Sequence, residues 1–97
     1  MHNILRVEII DIILQKYFQQ KSTTKIRIKD LAVILRESNP LIFTKVDNLK
    51  IKKELIAIYP IHNNMKKKTK WYKITKKQTM NYLFEHNVHM KGVLYHD

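Results

Sequence analysis

In residues 3–19, Leu5, Ile9, Ile13 and Tyr17 recur at the spacing of one helix face, while Glu8, Asp11, Gln15 and Gln19 form a narrow polar stripe. The pattern predicts a first helix with an unusually wide apolar sector, because Ile4, Val7, Ile10, Ile12, Leu14 and Phe18 fall outside the leading stripe. One small core covers only part of such a sector. A second surface is expected on the rest, either the C-terminal segment or a second copy of the chain, so a homodimer through helix 1 and the C-terminal segment is one expectation.

After a short polar stretch at residues 21–25, the alternation Ile26, Arg27, Ile28 predicts a brief strand. Leu31, Ile34 and Leu35 mark the buried face of a second helix. Asp30 stands in its first turn, where a carboxylate suits the helix dipole, and Arg36 stands near its end. Glu37, Ser38, Asn39 and Pro40 read as a helix-to-helix turn, since Ser and Asn compete for the backbone as caps and Pro is tolerated at the first helical position. A third helix is expected over residues 40–52, with Ile42, Val46 and Leu49 inward and Leu41, Thr44, Lys45, Asn48 and Lys52 outward.

Residues 55–61 are apolar and β-branched and predict a strand, and residues 70–75 predict its return, Trp71, Lys73 and Thr75 alternating with Tyr72 and Ile74. Residues 63–69 between them read as a polar, mostly cationic hairpin loop. Thr75 and Gln78 have the spacing of a capping box. They open a final helix over about residues 76–91, with Met80, Leu83 and Phe84 on one side and Gly92, the only glycine, as its stop.

Composition narrows this picture. The 97 residues suffice for one domain with a modest core, and 44% are hydrophobic while one Gly and two Pro interrupt the chain, so regular, helix-rich structure is expected. The absence of cysteine excludes a disulfide framework and a thiolate metal site and fits a reducing, cytoplasmic setting. The longest apolar stretch, residues 7–14, is broken by Glu8 and Asp11 and is far shorter than the roughly 20 residues a membrane span needs, and no secretion signal is visible at the start.

Charge adds the functional direction. Nineteen Lys and Arg against eight Asp and Glu give a net +11, a self-repulsion that a polyanion would relieve. The charge is localised: residues 44–77 hold eleven lysines against Asp47 and Glu54, a net +9, whereas residues 1–43 net only +3. Seven of those lysines fall within residues 66–77.

Three pieces of the chain resemble the winged helix-turn-helix family over roughly residues 3–75. Residues 26–32 (Ile-Arg-Ile-Lys-Asp-Leu-Ala) are similar to the family's passage from strand into helix 2. Residues 49–56 are similar to its exit from helix 3, with Glu54 where the family usually has glycine, and residues 71–75 (Trp-Tyr-Lys-Ile-Thr) to its second wing strand. The resemblance implies a single α+β domain, mostly helical, with a three-helix core and a small β-hairpin wing. The C-terminal helix would be an addition. It also implies that helix 3 enters the major groove of double-stranded DNA and that the wing follows the backbone or minor groove.

The residues expected to carry DNA binding follow from both arguments. Lys66, Lys67, Lys68 and Lys70 on the wing suit phosphates as mobile point charges. Lys45 and Lys52 lie on the outward side of helix 3, where Asn48 could pair with adenine and Thr44 or Leu41 could meet a thymine methyl. Arg27 and Lys29 would contact phosphate at the start of helix 2. Sixteen lysines to three arginines leave no arginine on that face for bidentate reading of guanine. His86 and His89, three residues apart, form at most an incomplete metal site with Glu85 and His96 nearby, so neither metal nor cofactor is expected. No phosphate loop, cysteine nucleophile or convergent Ser, His and Asp set points to catalysis.

The function expected is duplex DNA binding without catalysis, as a transcriptional regulator. Two alternatives stay open. One is a protein-interaction module using a basic winged-helix face on an acidic partner, and the other a single-strand or RNA binder that stacks bases on Trp71 or Tyr72.

Overall fold

The computed structural model describes residues 4–60 and 71–88. The first helix, α1 (Ile4–Ile12), runs directly into a π-helical segment (Ile13–Phe18). Its wider i→i+5 turn places Ile13 and Phe18, both fully buried, on one face. Ile10 and Ile12 are also buried, and Val7, Leu14 and Tyr17 pack against the same core. The apolar sector is thus covered in large part by α2, α4 and β1 of the same chain, while Ile4 at its start stays exposed. Gln19 ends the segment with φ 41°, a value uncommon outside glycine.

Strand β1 (Thr23–Ile26) lies three residues earlier than its apolar alternation indicates. Ile28 is already the first residue of α2 (Ile28–Ser38), because Arg27, in extended conformation, directs its side chain onto Asp30 in the first turn of that helix. β1 pairs antiparallel with β2 (Tyr72–Thr75), Thr23 opposite Thr75 and Ile26 opposite Tyr72. Ile26, Tyr72 and Ile74 face the core.

The single third helix expected over residues 40–52 is two helices. α3 (Pro40–Phe43) is one turn, followed by a bend at residues 44–47 and then α4 (Asn48–Ile58). The Asp47 carboxylate accepts the backbone N–H of Lys50 at 2.8 Å and starts α4 anew, while the Arg36 guanidinium donates to the Val46 carbonyl at 2.9 Å and holds the bend against α2. The phase changes at this break: Phe43 is buried, whereas Ile42 and Leu49, both expected inward, are exposed, Leu49 to 60%.

The strand expected over residues 55–61 is also corrected, since Leu55 to Ile58 are helical. Ile51, Leu55 and Ile58 fall on one helix face against the core, and that burial outweighs the β-propensity of Ile56 and Ile58. Among the described residues β2 therefore pairs with β1 and not with a wing strand from this stretch. Glu54, expected at a turn, lies inside α4 and is only 8% exposed.

α5 (Lys76–Glu85) opens with the expected capping box: Thr75 Oγ1 accepts from Gln78 N at 3.0 Å and Gln78 Oε1 from Thr75 N at 2.9 Å. It ends before Gly92. Asn87 takes the left-handed conformation, φ 52°, with Val88 N–H bonded to Leu83 C=O at 2.9 Å and Asn87 N–H to Phe84 C=O at 3.3 Å. This is a Schellman ending in which buried Val88 and Leu83 supply the apolar contact. The molecule is α+β and mostly helical, with a two-stranded sheet and one core. Among the described residues no helix is long and apolar enough to cross a membrane.

Candidate nucleic-acid interface

With Ile51, Leu55 and Ile58 against the core, α4 turns Leu49, Lys53 and Ile56 outward at i, i+4 and i+7, with Lys52 half-buried at the margin of that face. Asn48 is exposed in the first turn, and Thr44 and Lys45 are exposed in the bend before it. The Thr44 hydroxyl donates to the Pro40 carbonyl, which closes α3. The only acid within α4 is turned inward: Arg6 Nε of α1 donates to Glu54 Oε1 at 2.6 Å and Arg6 NH1 donates to the Tyr82 hydroxyl of α5 at 2.9 Å. That hydroxyl, with Glu54 beside it, holds the guanidinium even more firmly charged than usual. The network ties three helices and leaves the outer side of α4 cationic, because among the described residues no ion pair engages Lys45, Lys50, Lys52 or Lys53.

The second cationic surface is the outer face of the β1–β2 ribbon. Lys25 and Lys73 stand directly opposite one another and both are exposed. Arg27 and Trp71 continue the same face beyond the ladder, the guanidinium lying 4.5 Å from the centre of the indole ring. Arg27 is also held by both oxygens of Asp30, at 2.9 and 3.2 Å, so it braces the start of α2 and orients Trp71 more than it offers a free charge. Lys29 is exposed in the first turn of α2. Lys76 and Lys77 are exposed in the first turn of α5 with no acid there, a placement the helix dipole disfavours.

Of the residues expected to bind DNA, Asn48 and Lys52 share α4 with Thr44 and Lys45 just before it. Arg27 and Lys29 belong to the separate region of β1 and α2. Lys66, Lys67, Lys68 and Lys70 lie outside the described residues. Lys53 was missed because helix 3 was read in one unbroken phase, and the Lys25–Lys73 pair because β1 was placed three residues late. The helical break was signalled by Asp47, a strong cap residue ahead of an apolar periodicity.

Of the two candidate stacking residues, Trp71 is 44% exposed and Tyr72 is buried. His86 follows the last residue of α5 and stacks on Tyr82, ring centres 4.1 Å apart, while His89 and His96 lie outside the described residues. Among the described residues no group of three or more His, Cys, Asp or Glu side chains is placed to hold a metal ion. Among the described residues every buried side-chain polar atom has a partner, including the Tyr59 hydroxyl, which lies 2.6 Å from Thr79 Oγ1 and whose burial pushes its pKa well above the usual tyrosine value. No protein-family model, curated protein or solved structure matches this chain.

Proposed function

We propose that this chain is a duplex-DNA-binding protein of winged-helix type, with α4 in the major groove and the lysine-rich stretch at residues 66–70 on the phosphate backbone. The observation that carries the reading is the outer face of α4. It combines Lys52 and Lys53 with Leu49 and Ile56, its one acid is withdrawn into the core, and among the described residues nothing covers Leu49 and Lys53, as a helix entering a groove about 12 Å wide requires. The order helix, strand, helix, helix, lysine-rich stretch, strand supports the winged-helix reading, with α4 in the role expected of helix 3 and α3 as an inserted turn. Regulation of transcription enters by analogy of fold alone.

Lysines set affinity through phosphate and carry little sequence information. Specificity would rest on Asn48 toward adenine and on Leu49 and Ile56 toward thymine methyls, which favours AT-rich sites. Selection from random duplexes at physiological salt tests this directly. Enrichment of AT-rich sequence, lost on Asn48→Ala with Leu49→Ala, is the expected result, and recovery of no duplex at all contradicts the proposal. A second reading, single-strand binding, is favoured by the exposed indole of Trp71; unpaired oligonucleotides would then outcompete duplex, and Trp71→Ala would abolish the difference.

A further inference from the structure

The ribbon keeps an arrangement that works against folding. Two ammonium groups directly across an antiparallel pair repel one another, and here Lys25 and Lys73 do so in the middle of a sheet that has two strands among the described residues. No acid stands on either strand, and Asp30, the nearest in sequence, is occupied by Arg27. Lys76 and Lys77 follow within one turn, and the Lys76 backbone N–H bonds to the Ser22 carbonyl at 2.9 Å, which brings the start of α5 to the edge of β1. Lys25 and Lys73 thus share one small outward face without an acid on either strand, and Lys76 and Lys77 are exposed just beyond the end of β2.

This face is separate from that of α4. α4 packs mainly on α1, α2 and α5, and the ribbon on the π-helical segment and α5. Both elements turn their apolar residues into one core and carry their exposed lysines outward, Lys25 and Lys73 on the ribbon and Lys53 on α4.

We infer that the outer face of the ribbon is a second phosphate-binding surface for a nucleic-acid backbone, with Lys25 and Lys73 as its paired contacts, so that one molecule joins two nucleic-acid segments. The inference rests on the nucleic-acid reading above but not on α4 being the groove helix. A phosphate between the two ammonium groups would turn their repulsion into a shared attraction.

The test uses the full chain and two short duplexes, one on beads and one labelled in solution, together with thermal unfolding of the free protein. Lys73→Glu is expected to raise Tm by about 1–5 °C at low salt, because an unlike pair replaces a like one. It is also expected to keep binding to the bead-bound duplex but lose capture of the labelled one. Lys52→Glu with Lys53→Glu is expected to weaken binding to the bead-bound duplex and to lose capture of the labelled one. Undiminished capture by Lys73→Glu overturns the inference, as does a lowered Tm, which would make Lys73 a structural residue. Bridging by a dimer through two α4 faces would survive Lys73→Glu and counts against the ribbon. Wild-type protein that binds duplex without capturing a second one leaves α4 standing and the ribbon overturned. Capture of single strands alone, sensitive to Lys73→Glu, does the reverse, and binding to neither polymer overturns both.

Discussion

Arg6 and Glu54 set the chemistry around α4 although neither faces the candidate interface. An almost fully buried carboxylate without its guanidinium would be uncompensated in the contact between α1 and α4. Arg6→Met is therefore expected to cost about 2 kcal/mol in urea unfolding, and Arg6→Met combined with Glu54→Gln to cost less than Arg6→Met alone. Tyr59 gives a second test at this scale. Its folded pKa lies above the ordinary value of 10, so the unfolded chain loses this proton first and stability falls as pH rises above 10, by up to about 1.4 kcal/mol per pH unit. Burial of Tyr17 acts in the same direction. Tyr59→Phe is expected to cost roughly 1 kcal/mol at neutral pH and to flatten the alkaline limb in denaturation followed from pH 8 to 11. Neither role was legible in the sequence, because Glu54 was read at a turn and a lone tyrosine in an apolar run gives no sign of the threonine twenty residues away that meets it.

Elements whose signals are local were read well, and those decided by distant packing were not. The Thr75–Gln78 capping box, Asp30 in the first turn of α2 and the inward Ile74 depend on neighbours within a turn or on strand alternation, and all three stand as expected. Residues 55–58 look like a strand by composition and become helix only because Leu55 and Ile58 meet the core beside Ile51. The π-helical segment, with Ile13 and Phe18 both buried, follows no periodicity legible in the sequence. The break between α3 and α4 moved the candidate surface from Leu41 and Lys45 to Leu49, Lys53 and Ile56, and it depends on one cap. Asp47→Ala is expected to destabilise by about 1 kcal/mol, while Asp47→Ser is expected to retain most of the stability, as measured by chemical denaturation.

For the whole molecule, an α+β, helix-rich fold with one core followed from length and apolar pattern, and the concentration of charge beyond residue 44 was plain from counting. What counting could not give was the division of that charge into two faces, since it depends on which strand carries Lys25 and which side of α4 carries Lys53. Counting likewise could not tell how much of helix 1 is covered by its own chain, which buries Leu5, Ile9, Ile10, Ile12, Ile13 and Phe18 and leaves Ile4 exposed. The central claim is that the cationic outer face of α4 exchanges counterions for DNA phosphates. Its most direct test is the affinity for a random-sequence duplex between 50 and 300 mM salt, for wild-type protein and for Lys52→Gln with Lys53→Gln. A linear fall of log affinity with log salt, shallower by about two in slope for the variant, is the expected result, whereas identical slopes, or an affinity indifferent to salt, would contradict it.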